Sequence, residues 1–338
     1  MLVDGGIVTA NPLEGAAQGL SLEQAGYAGG FSFDGRHDPF LPLMAAASST
    51  QSLQLSTAIA VAFARTPYLL AQQAWDLQLA SQGRFSLGLG SQIKPHIERR
   101  FSMPWGAPAA RMKEFVQVVR SIWDCWQDGR DANFRGQFYQ HTLMPPLLNP
   151  GPNSWGRPPI LLAGVGESMT RVAGEVADGL IVHPLNSRTT LQQVTLPALL
   201  QGRACRGVGL DGFSIRCQIM VATGETDELI HQAREAVRGQ IAFYASTPAY
   251  KVMLDCHGWG HLQPQLQQMT RDQRWDKLPS LVSDDMLDTF AVTGSAAEVA
   301  RSIQAKIGDV TNRVSLVAPY AAGAERFAGI VALLQTTQ

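Results

Sequence analysis

Four side chains suited to moving or steering a proton fall within five residues: Asp34, Arg36, His37 and Asp38, in the run Phe33-Asp34-Gly35-Arg36-His37-Asp38-Pro39-Phe40. An imidazole titrates near neutral pH, and a neighbouring carboxylate or guanidinium tunes it or selects its tautomer. His37 and Asp34 are therefore candidate catalytic residues. The plainer alternative makes Arg36 and His37 solvated loop residues. Asp38 reads as the cap of a helix opening at Pro39.

A second stretch suits an anion. Ala163-Gly164-Val165-Gly166-Glu167-Ser168-Met169-Thr170-Arg171 places two glycines before a helix expected near Ser168, where exposed backbone amides form a phosphate cradle and Ser168 adds a hydroxyl. A plain turn with Ser168 as cap is the alternative. Gly88-Leu89-Gly90-Ser91-Gln92 lacks the third glycine of a dinucleotide fingerprint and is a weak signal alone. Downstream, Lys94, His96, Arg99, Arg100 and Arg111 outweigh Glu98, so they suit an acidic ligand tail or a solvated loop of paired charges. His257-Gly258-Trp259-Gly260-His261 has histidines four apart, but its glycines disfavour the helix that would aim both at one metal, and no metal is expected. His141, His183 and His231 are isolated, although His183 ends an expected strand and is placed to line a pocket.

Eight β-rich runs must position these residues: 5–8, 30–34, 55–62, 84–89, 159–163, 179–182, 214–222 and 313–318. They are nearly continuously apolar, as in strands covered on both faces, and most precede an amphipathic stretch. The clearest helix opens at Thr66-Pro67 and ends at Gly83, with Leu70, Ala74 and Leu77 on one stripe. Others are expected over 13–25, 39–50, 109–126, 168–177, 226–244 and 296–306. The alternation predicts a closed (β/α)8 TIM barrel of the α/β class spanning 1–338. Three segments exceed a minimal barrel: 92–107 at the C-terminal mouth, where barrel enzymes place their sites, 128–158 as a hairpin and extended loop, and 246–288 as a lid or partner surface.

Among 338 residues, 27 basic and 28 acidic side chains leave a formal charge of -1 and only 16% charged residues. No global field favours nucleic acid or an anionic membrane, so a small-molecule substrate is expected. Cys125, Cys205, Cys217 and Cys256 are scattered and fit reduced, packed thiols in a cytoplasmic protein. The start, MLVDGGIVTANP, has no basic region of a signal peptide, and the apolar run 58–64 is far short of the about 20 residues a membrane span requires.

These segments together resemble the bacterial luciferase-like superfamily, specifically its branch of coenzyme F420-dependent oxidoreductases. Carrying the resemblance are Gly26-Tyr27-Ala28-Gly29-Gly30, His37-Asp38-Pro39-Phe40-Leu41-Pro42-Leu43, Thr57-Ala58-Ile59-Ala60-Val61 and Gln72 to Asp76. Ala173-Gly174-Glu175-Val176-Ala177-Asp178-Gly179 and Phe290-Ala291-Val292-Thr293-Gly294-Ser295 also match. The most specific is Gly83-Arg84-Phe85 leading to Gly88-Leu89-Gly90.

The resemblance implies a barrel holding a deazaflavin or flavin at its mouth, hydride transfer to or from a small organic substrate, and a homodimer. It implies a cis peptide bond at Ala58-Ile59 against the ring, and phosphate on the amides of Gly166, Glu167, Ser168 and Met169. Ala58, Ile59, Val61, Gly90, Ser91, His96 and Gly164 join these as expected cofactor contacts, with Lys94 and Arg100 suited to the polyglutamate tail of F420. FMN, which lacks that tail, is the alternative cofactor, with monooxygenase chemistry on reduced flavin and oxygen. A cofactor-binding protein without catalysis is a further alternative. Related deazaflavin dehydrogenases carry an Asp-His pair after strand two. Here Asp34-Gly35 stands instead, so the base role passes to His37 or is absent.

Overall fold

A computed structural model describes residues 1–320 and 323–336 of the protein. Its strands are β1 (Leu2–Gly6), β2 (Gly29–Ser32), β3 (Gln54–Thr57), β4 (Ala60–Val61), β5 (Phe85–Gly90), β6 (Phe134–Arg135), β7 (Gln140–His141), β8 (Ile160–Gly164), β9 (Gly179–Val182), β10 (Ser214–Thr223), β11 (Ala291–Gly294) and β12 (Arg313–Val317). Eight of them close a parallel ring in the order β1, β2, β3, β5, β8, β9, β10, β12 and back to β1. This is a (β/α)8 barrel with helices between the strands, as the apolar runs predict.

The helix starts follow local chemistry. Thr66 accepts from the Leu69 amide ahead of the helix Pro67–Ala80. Thr226 does the same for Leu229 at the helix Asp227–Ala245. Ser295 and Glu298 close a reciprocal box at Ala296–Ile307, and Asp38 accepts from Phe40 at Phe40–Ser49. Each pairing satisfies amides that the first helical turn leaves free.

Two strand expectations need correction, and one strand was not expected. The first strand is Leu2–Gly6 and not 5–8, because Leu2 and Asp4 pair with Arg313 and Ser315 of β12. The acid that disguised the strand lies inside the barrel, where Arg313 grips it with two bonds of 2.8 and 2.6 Å. The run 55–62 is divided into β3 and β4, and between them the Ala58-Ile59 peptide bond is cis. Residues 291–294, unassigned from sequence, form β11, which pairs in parallel with the end of β10 outside the ring.

The three insertions differ in build. Segment 92–107 carries the short helix Lys94–Arg99, and 128–158 contains the antiparallel hairpin β6–β7. Segment 246–288 folds into short helices that join Asp227–Ala245 in a separate hydrophobic cluster containing Ile241, Leu254, Leu266, Leu287 and Phe290. The main cluster fills the space between the ring and the other helices. Among the described residues, no helix is long and apolar enough to cross a membrane.

Candidate active site at the barrel mouth

The most specific sequence motif turns out to be scaffold. Gly83 turns at φ +84°, a conformation glycine adopts without steric cost. Arg84 then donates to the Ala47, Thr50 and Leu53 carbonyls and to the Thr50 hydroxyl, gathering the end of the helix Phe40–Ser49. The Phe85 ring is buried beside Phe40. Gly88 and Gly90 have a different task from dinucleotide binding. A Cβ on Gly88 would collide with the Thr57 carbonyl, and one on Gly90 would stand 2.8 Å from Ile59 Cδ1. The Thr57 hydroxyl donates to the Gly88 carbonyl at 2.7 Å and accepts from the Gly88 amide at 2.8 Å. The two glycines thus let the Thr57–Ile59 backbone nest against β5.

Asp34 holds the other side of this bulge. Its amide donates to the Ile59 carbonyl at 3.0 Å. Its carboxylate accepts from the Val61 amide at 2.6 Å and from both terminal nitrogens of Arg65 at 2.5 and 2.9 Å. Arg65 also bonds Asp38 at 2.9 Å. Asp34 therefore borders the cavity as a clamp on β4, with its oxygens committed to backbone and guanidinium. Expected as a catalytic residue, it is engaged here with the Val61 amide and Arg65. Hydrogen bonds and charge from both aspartates hold the Arg65 guanidinium above its ordinary pKa against the opposing effect of burial.

The bulge faces a cavity of about 1560 Å³ at the C-terminal mouth. Ala58, Ile59, Gly90 and Ser91 line it, as do Lys94 and His96 from the first insertion and the whole of Gly164 to Met169. At the last of these the helix Glu167–Val176 begins at Gly166 with no side-chain cap. Its first amides remain available, and among the described residues no atom beyond the two chain neighbours lies within 4 Å of where a Gly166 Cβ would be. Exposed, uncapped amides with open space before them suit an anion.

Other expected residues fall elsewhere. His37 is exposed and is not among the cavity-lining residues. Val61 is fully buried behind the bulge. Arg100 donates to the Gly35 carbonyl at 2.6 Å and lies over Phe101. Arg111 is buried, bonded to the Tyr139 hydroxyl and the Pro104 carbonyl, with its guanidinium 4.4 Å from the Phe63 ring centre. The basic cluster is therefore split by packing, and of its members only Lys94 and His96 reach the cavity lining. In the third insertion, His257 meets the Ser187 hydroxyl at 2.8 Å, whereas His261 bonds the Gly258 carbonyl.

The opposite part of the lining was largely missed in sequence. His183 follows β9, Tyr244 ends the helix Asp227–Ala245, and Tyr250 comes from the third insertion. The two phenol rings stand 4.6 and 4.3 Å from the imidazole, centre to centre. Burial lowers the His183 pKa to about 3, so the ring is neutral at physiological pH. Its Nδ1 accepts from the Leu185 amide at 3.1 Å, which leaves the proton on Nε2. Burial and the adjacent Tyr250 raise Tyr244 to about 12, and burial raises Tyr250 as well. The only sequence signal for this group was the place of His183 at a strand end, because no spacing connects 183, 244 and 250.

The sequence pattern of luciferase-like monooxygenases matches residues 4–311. An uncharacterised protein of Mycobacterium tuberculosis is 48% identical over 295 residues, covering 87% of each chain. The structure is similar to the coenzyme F420-dependent tetrahydromethanopterin reductase of Methanopyrus kandleri, with a TM-score of 0.79, 18% identity, and coverage of 98% of this chain and 96% of the other. It is also similar to the EDTA monooxygenase of Chelativorans sp. BNC1, with a TM-score of 0.75, 15% identity, and coverage of 99% and 94%. With the family pattern running through nearly the whole barrel and through the bulge and cradle at its mouth, the chain belongs to the luciferase-like monooxygenase family.

Proposed function

We propose that the protein is an F420-dependent oxidoreductase that moves a hydride between the deazaflavin and a small organic substrate. The observation that carries this reading is the meeting, in one cavity, of the Ala58-Ile59 bulge with the uncapped amides that follow Gly166. A planar ring suits the small, apolar surface of Ala58, Ile59 and Gly90, and a phosphate suits the open cradle. Lys94 and His96 lie on the same side for an acidic tail. When bound, such a group supplies two-electron chemistry that no side chain performs. The chain contributes binding, orientation and exclusion of water.

A specific observation favours FMN as the second reading. Arg111 is buried in its own bonds, and Arg100 is tied to Gly35, so fewer cations remain for a polyglutamate tail than the sequence offers. Separate fluorescence titrations with F420 and FMN, followed by exposure of the reduced complex to air, distinguish the two. The F420 reading expects tighter F420 binding and a reduced complex that persists in oxygen. Tighter FMN binding with rapid reoxidation replaces it with the monooxygenase reading.

A further inference from the structure

The charged residues that line the cavity are unevenly distributed. Asp4, Asp34, Lys94, His96 and Glu167 all precede β9 in the chain, and the first two are already paired, with Arg313 and Arg65. From Ile181 onward, among the described residues, no acidic, lysine or arginine side chain lines the cavity, and His183 is neutral. This half nevertheless carries polar atoms that no side chain or backbone group among the described residues engages. With Nδ1 occupied by the Leu185 amide, His183 presents an Nε2–H donor, and among the described residues no hydrogen bond is made to that nitrogen or to the Tyr250 hydroxyl. Both donors border the open cavity, so an occupant that displaces water from this wall is their acceptor.

We propose that His183 and Tyr250, with Tyr244 packed beside them, form the recognition site for the oxygen of an uncharged alcohol or ketone substrate. The site deepens the reading above by giving its substrate class, and it shares the cavity on which that reading rests. The imidazole Nε2–H and the Tyr250 hydroxyl donate to the substrate oxygen, while Val252 and Phe243, also in the lining, offer apolar contact to its carbon skeleton. A carboxylate or phosphate finds no cation on this wall and loses its hydration on entry, which is the larger cost. Donation by a neutral imidazole and a phenol polarises a carbonyl without introducing a net charge. Tyr250 arrives from the insertion at 246–288, so the same segment that builds the second hydrophobic cluster also sets substrate class.

The test uses the full-length protein and a matched pair of probes, cyclohexanone labelled with ¹³C at its carbonyl and cyclohexanecarboxylate. Their dissociation constants are measured by NMR titration, and the carbonyl stretch of bound ketone by difference infrared spectroscopy. The ketone is expected to bind at least about ten-fold more tightly than the carboxylate, with its stretch shifted to lower frequency. In Tyr250→Phe the shift is expected to shrink, and in Tyr250→Phe combined with His183→Leu to vanish. Unchanged circular dichroism spectra and melting temperatures in these variants show that the fold is retained. A carboxylate that binds as well as the ketone overturns the proposal, as does a stretch that is unshifted in the wild type or fully shifted in the double variant. If the ketone binds with the expected shift while neither F420 nor FMN binds, the substrate site stands and the hydride-transfer reading fails.

Discussion

The two walls of the cavity are built by opposite means. From β3 to β8 the wall is backbone: a bulge at Ala58-Ile59, glycines that let it nest against β5, and uncapped amides after Gly166. From β9 onward the wall is made of side chains, with His183, Tyr244 and Tyr250 brought together from three distant segments. Backbone recognition suits a fixed, phosphate-bearing ring whose shape does not vary. Side-chain recognition suits a partner that differs from one relative to the next, since a changed insertion rewrites it without disturbing the barrel.

This contrast is most strongly challenged at Arg65, which holds Asp34 and Asp38 beside the bulge. Arg65→Met leaves the buried Asp34 carboxylate and the partly exposed Asp38 without their cation and is expected to cost about 3 kcal/mol in chemical denaturation at neutral pH. A loss below about 1 kcal/mol would mean that the group acts as an ordinary surface pair and does not clamp β4.

Next in size is Gly88→Ala, whose methyl group meets the Thr57 carbonyl. It is expected to destabilise the protein by about 1–3 kcal/mol and to weaken F420 or FMN binding, whereas Gly166→Ala, placed in open space, changes stability by less than about 0.5 kcal/mol. Equal stabilities for the two variants would remove the argument that glycine at 88 serves close backbone approach.

A smaller effect, confined to binding, is expected for Gly166→Pro. Proline removes one amide from the cradle without adding bulk where the space is filled, so cofactor affinity in a fluorescence titration should fall about ten-fold with stability nearly unchanged. Unaltered affinity in a folded variant would move the phosphate elsewhere.

The smallest expected effect belongs to His37→Ala. Because the side chain is exposed and outside the lining, cofactor affinity and turnover should remain close to those of the wild type. A loss of turnover by about 10²-fold or more would identify it as a general acid or base despite its place in this structure.

The barrel and part of the cavity lining were legible because their signals are local. Apolar runs marked the strands, Thr66-Pro67 and Thr226 marked helix starts, and Gly164 to Met169 marked the cradle. The failures have physical causes too. Asp4 hid β1, since an acid is disfavoured in a buried strand until its partner Arg313, 309 residues away, is known. Arg111 looked like a ligand-binding cation because sequence shows its charge but not its bonds to Tyr139 and Pro104.

By itself, then, the sequence determined the parallel barrel and the helix start after Gly166, since these depend on hydrophobic periodicity and on the conformations that glycine and helix termini permit over a few residues, while the cis bond at Ala58-Ile59 was expected from the family resemblance alone. Only the tertiary structure decided which polar groups are free. Asp34 and Arg65 neutralise each other across 31 residues, Arg84 is spent on the carbonyls ending Phe40–Ser49, and His183 meets Tyr250 only because the insertion packs against Asp227–Ala245. A side chain's chemistry is fixed by its type, but its availability depends on long-range partners and on burial, which shifts protonation and satisfies or strands each hydrogen bond.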